Sequence, residues 1–177
     1  MQRIATTVLG LVGEQARACA QALERAANVR VELPDPAAPP LERAVAAGQA
    51  AASTQATYLV HDADPRALVA DAWVRRFDEQ GPVGELEVAV RETLSRWRAG
   101  AIDLPDYYIV LDPASWGATR RHWYLGLLHR AAPSRVVPAD AAADKVRASI
   151  ATLASGRWWP QLDRLLADVD RVVPDQV

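Results

Sequence analysis

Five short apolar runs, rich in β-branched and aromatic residues, alternate along this chain with longer stretches of helical period, and that alternation restricts what it can fold into. The runs fall at 3–10, 28–33, 56–60, 107–111 and 135–137. Between and after them, helical patterns occupy 14–27, 39–53, 65–79, 83–99, 114–131, 140–154 and 158–171. Strands separated by a helix pair parallel, and a parallel sheet needs both faces covered. The expectation is one three-layer α/β domain over 1–177, with a mostly parallel sheet of about five strands and a helix-rich C-terminal third.

Half of the 177 residues are hydrophobic, which fills one sizeable core. The net charge of −2 provides no basic field, so duplex nucleic acid is not an expected partner. Every basic residue but Lys145 is Arg, the better bidentate partner for carboxylate or phosphate. The single cysteine, Cys19, lies among Ala18, Ala20 and Ala22 and reads as a small buried apolar residue. The start of the chain lacks the pattern of a secretory leader, and no apolar stretch approaches the ~18 residues of a membrane span. A soluble cytoplasmic protein with no membrane partner is expected.

Three strand exits share one grammar: Asp35-Pro36, Asp64-Pro65 and Asp112-Pro113. Asp accepts from the orphan N–H groups of a helix start, and Pro has its φ already set for the first helical position. Helix capping is therefore expected of Asp64 and Asp112, while Pro39-Pro40 delays the helix after Asp35. The stretch 33–40 reads as a stiff surface loop.

The first apolar run ends in Gly10-Leu11-Val12-Gly13-Glu14 and passes straight into a helical pattern. A helix start of this kind presents backbone N–H groups and partial positive charge to a phosphate. Nothing after Gly10 or Gly13 supplies the Lys and Ser/Thr of a phosphate-binding P-loop. The spacing resembles a degraded Rossmann dinucleotide fingerprint, with Gly10 and Gly13 as second and third glycines and Val8 in place of the first. That resemblance implies a ribose-binding role for Glu32, nineteen residues beyond Gly13, and a Rossmann-like or flavodoxin-like strand order. The plain alternative is that the glycines allow close helix–strand packing and Glu14 complements the helix dipole.

A second likeness uses other residues. Gly13-Glu14 after the first strand and His61-Asp62-Ala63-Asp64 after the third resemble the Toprim arrangement over roughly residues 1–80. It implies Glu14 in acid/base exchange, with Asp62 and Asp64 holding Mg²⁺ for phosphoryl transfer or nuclease chemistry. Otherwise no metal site is expected, because His61, His122 and His129 lack ligand spacing.

His61, Asp112, Arg120 and Arg121 fall at or just after strand ends, where open parallel sheets bind ligands. Trp116 to Tyr124 interleaves aromatic and basic residues as nucleotide-stacking surfaces do, although Trp116, Trp123 and Leu127 also recur at helical spacing as a core face. Trp158-Trp159 opens a last apolar stripe that docks on its own domain or on a second copy of the chain. Two functional readings stand. One is a binding or regulatory domain with a degenerate nucleotide- or phosphate-binding loop formed by Gly10, Gly13 and Glu14, with a nucleotide or small phosphorylated molecule as ligand and no cofactor required. The other is a Mg-dependent enzyme built on Glu14, Asp62 and Asp64. A homodimer through the C-terminal tryptophans is a third possibility of a different kind.

Overall fold

The computed structural model describes residues 6–78 and 81–174. In chain order the strands are β1 (Thr7–Val12), β2 (Val29–Glu32), β3 (Tyr58–His61), β4 (Tyr107–Leu111) and β5 (Val136–Ala139). The helices are α1 (Ala16–Ala22), α2 (Pro40–Ser53), α3 (Ala67–Phe77), α4 (Glu85–Arg98), α5 (Ala118–Arg121), α6 (His129–Ala131), α7 (Ala143–Ala151) and α8 (Leu162–Leu166). All five strands pair in parallel, with Gly10 opposite His61 and Leu9 opposite Tyr107. The three-layer α/β architecture is the one the alternating runs require. Positions 3–5 of the first run lie outside the described residues.

The strand order is β2-β3-β1-β4-β5. It is neither the Rossmann order, with β2 beside β1, nor the flavodoxin order, with β1 between β2 and β3. Burial supplies the reason. β3 reads Tyr-Leu-Val-His and buries its last three residues, so it suits the interior position next to β1. The Val-Arg-Val-Glu of β2 alternates apolar with charged and suits an edge.

This order also distributes the helices. Only the β1 to β2 connection runs toward the β2 edge, while those leaving β2, β3 and β4 run the other way. Right-handed crossovers therefore put α1 on one face and α2 to α6 on the other. The α1 face is sealed by Leu9, Leu11, Ile109 and Leu111 against Cys19, Ala20 and Leu23, with Val146 and Ile150 of α7 beside them. The opposite face is more aromatic: Tyr108 and Val110 pack with Trp73, Trp123, Tyr124 and Trp159.

The helical pattern at 114–131 does not form one helix. After a 3₁₀ turn at Pro113–Ser115 and the short α5, residues His122–Leu128 wind as a π-helix. Its wider i→i+5 turn stacks Trp123 and Leu128, both fully buried, on one side. The last helix is also shorter than the pattern at 158–171: Trp158 and Trp159 are non-helical, and only Leu162–Leu166 is α-helical. Trp159, Leu162, Leu166 and Val169 all bury in the chain's own core, whereas Trp158 remains 56% exposed.

Of the two expected caps, Asp64 accepts the Arg66 N–H in the turn that leads into α3, while Asp112 takes another role. No described helix has a side-chain cap hydrogen bond on its N-cap residue. Asp35 Oδ1 accepts from Ala37 N–H in a turn ahead of α2. Asp112 sits in the left-handed region at φ 44°, and its Oδ1 accepts from Ala141 N–H, tying the exit of β4 to that of β5.

Trp73 is fully buried, contacts Trp123 at 5.5 Å between ring centroids, and donates its indole N–H to Val169 O at 3.0 Å. Trp73→Ala is expected to cost about 3–5 kcal/mol of unfolding free energy in a urea titration, whereas exposed Val88→Ala stays within about 0.5 kcal/mol.

Candidate functional site

Where the connection from β1 leaves toward one edge and that from β4 toward the other, the two chains diverge and leave an opening at the carboxyl ends of the strands. A crevice of about 530 Å³ lies there, bordered by Gly13, Glu14, Trp116, Arg120, Tyr124, Val74 of α3 and Asp78 at the end of that helix. Trp116 stands edge-on to Tyr124, ring centroids 5.4 Å apart, forming an aromatic wall. Asp78 Oδ1 accepts from the Thr119 hydroxyl at 2.7 Å, and Arg120 is held by Asp71 at 2.6 Å. Glu14 is exposed and has no hydrogen-bond or ion-pair partner among the described residues.

Both glycines of the opening turn answer to packing. Gly13 has φ +130°, and a Cβ there would lie 3.0 Å from Leu111 O and 3.1 Å from the Trp116 ring. At Gly10 a Cβ would meet Pro105 at 3.1 Å and the His61 ring at 3.5 Å. A Cβ at either position makes its neighbours shift by a few tenths of an ångström, and at Gly13 the positive φ adds strain of its own. Of the two, only Gly13 borders the crevice.

The remaining candidates do not gather at this opening. Glu32 ends edge strand β2, and β3 separates it from β1, so it stands two strand spacings, ~10 Å, from β1, where the Rossmann fingerprint needs its acid on the adjacent strand. Its neighbour in charge is Arg30, at 3.6 Å. Asp62 is gripped by Arg17 of α1 at 3.0 Å and Arg43 of α2 at 3.1 Å, one from each face of the sheet. Arg17 also donates to Pro34 O at 2.9 Å, which holds down the proline-rich loop. Asp112 pairs with neither arginine and is exposed, bound to Ala141 N–H. Arg121 is half-buried and outside the crevice lining.

Asp64 lies in the apolar layer. Its carboxylate accepts from the hydroxyls of Tyr108 and Tyr124, each at 2.7 Å, and from Arg66 N–H at 2.9 Å. Burial above all, with the Asp64 carboxylate adding to it, raises the pKa of both phenols well above the usual value, so both stay protonated as donors. Arg66 is fully buried, its guanidinium 4.4 Å over the Tyr108 ring and 5.1 Å from the Trp159 ring. Among the described residues, Glu14, Asp62 and Asp64 form no group of three carboxylates able to hold a metal ion. The Toprim-like trio is thus not assembled, because two of its acids are taken up by arginines and tyrosines.

Arg17, Arg43, Arg66 and Tyr108, which engage Asp62 and Asp64, had no motif to announce them. Asp71, Val74 and Asp78 were legible in principle: their spacing of three and four puts them on one face of α3.

His61 is 3% exposed and sits on the aromatic face beneath α2, outside the crevice. Burial is the largest influence on its ring and lowers its pKa to about 4, against the opposing pull of Asp64 and Asp62. The unfolded chain takes up this proton near pH 6.5 and the folded one near 4, so stability rises with pH across that interval and is complete above it. The interval corresponds to about 3 kcal/mol. Urea titrations from pH 4 to 7.5 are expected to show this loss on acidification, and His61→Asn is expected to flatten it; equal slopes in both proteins contradict the assignment.

Comparison with protein families, with characterised proteins and with solved structures finds no match to this chain.

Proposed function

We propose that this protein is a ligand-binding, regulatory domain that takes a nucleoside-like molecule into the carboxyl-edge crevice. The observation that carries the reading is the pairing of an aromatic wall, Trp116 on Tyr124, with an unpartnered carboxylate, Glu14, across one opening at the strand ends. A planar ring packs on Trp116, and hydroxyl or amino donors face Glu14 and Asp78. The turn retains the strand–glycine–helix form of a phosphate-binding loop. Its anion is built in: Glu14 supplies the negative charge just ahead of α1, and Arg120, the nearest cation of the lining, is already neutralised by Asp71. A nucleoside therefore suits the site better than its phosphorylated form.

Thermal unfolding with adenosine, ATP and MgATP tests this. Adenosine at 100 times its Kd is expected to add about 2.7 kcal/mol of stability, with ATP giving less. Trp116→Ala removes about 1–3 kcal/mol of stacking and raises the adenosine Kd about tenfold or more, while Glu14→Gln strengthens ATP binding. Stabilisation by MgATP with none by adenosine overturns the reading, as does an unchanged melting temperature with all three.

A further inference from the structure

A second cavity, of about 350 Å³, lies on the aromatic face of the sheet under α2 and shares no lining residue with the crevice. Its roof is the side of α2 that carries Ala44, Ala47, Gly48 and Ala51, a surface without long side chains. The strand side contributes His61, and the segment before β4 contributes Asp106. The volume is that of a small-molecule site.

His61 is the decisive group. Its Nδ1 accepts the Ala63 N–H at 3.3 Å, which places the proton of the neutral ring on Nε2. No acceptor among the described residues takes that Nε2–H, although the side chain is almost wholly buried and borders the cavity. This donor is not sealed in the core but keeps contact with solvent, so a ligand acceptor in the cavity takes the place of water. Asp106 offers the complement. Its Oδ2 accepts the Val8 N–H at 2.6 Å, while Oδ1 has no hydrogen-bond partner among the described residues.

Register sets the distance between the two groups. His61 lies opposite Gly10 and Asp106 binds Val8, two residues earlier on the same strand, so they are offset by ~7 Å along β1. Among the described residues, the charged members of the lining are Asp103 and Asp106, which disfavours an anion.

We infer that this cavity is a second binding site, for a small uncharged amino-substituted nitrogen heterocycle that accepts a hydrogen bond from His61 Nε2–H and donates its amino group to Asp106. The flat alanine–glycine roof receives the ring. Trp158, exposed at the border of the cavity and stacked at 4.2 Å on the Arg135 guanidinium, reports occupancy from outside.

The test uses the full chain with 2-aminopyrimidine and adenine as probes, each at about 1 mM, a concentration that detects millimolar or tighter binding. Long-range ¹H–¹⁵N histidine spectra are expected to show the His61 Nε2 resonance moving on addition of either probe. Ala51→Phe fills the cavity from the half-buried side of α2 and is expected to weaken the response tenfold or more; His61→Phe does the same by removing the donor. Trp116→Ala, which alters only the crevice, leaves the response unchanged, so failure here is separable from failure of the nucleoside reading. A His61 resonance unmoved by both probes overturns the inference. So does a response of equal size in Ala51→Phe, or one abolished by Trp116→Ala.

Discussion

A carboxylate inside an apolar layer must find donors, and Asp64 finds them from three separate pieces of the chain. Tyr108 comes from the middle of β4, Tyr124 from the π-helix, and a backbone N–H from Arg66 ahead of α3, whose guanidinium stands at an ion-pair distance of 3.9 Å. Removing such a charge from water is expensive unless these bonds are made, so their geometry positions each piece relative to the others. The crevice inherits the result, because Tyr124 is also half of its aromatic wall. A polar requirement in the core thus shapes the opening at the surface.

Asp62, two residues earlier, performs the matching task at the sheet's edge. Arg17 and Arg43 approach it from helices on opposite faces, so one carboxylate fastens both outer layers to the end of β3. Such charge-assisted bonds are stronger than neutral ones, and the proline-rich loop is drawn in through the same arginine. Two aspartates that resemble a metal-binding D-x-D are thereby directed to different environments.

The candidates expected at the strand ends, among them Glu14, His61 and Arg120, divide between two openings. Strands carry side chains to alternate faces, and His61 and Gly10 both point to the α2 side. Glu14 and Arg120 belong instead to the gap at the strand ends. The position of a residue near a strand terminus is readable from hydrophobic runs; the face it occupies, and the helix over it, require the register and the order of strands. Even the order left a trace, since Val-Arg-Val-Glu reads as an edge and Tyr-Leu-Val-His as an interior strand. The break of the 114–131 pattern into a π-helix left none, because an apolar stripe is compatible with either winding.

From its sequence alone the chain determined its class: a mostly parallel sheet of about five strands with helices on both faces, and Cys19 and Trp123 as core residues. These are consequences of local periodicity, which each segment carries within itself. Tertiary structure decided the chemistry. Arg17 and Asp62 are 45 residues apart, and Tyr124 and Asp64 are 60 apart. Which polar groups are neutralised, and which remain unpartnered among the described residues like Glu14 and the Nε2–H of His61, follows from contacts between distant segments that no local pattern encodes.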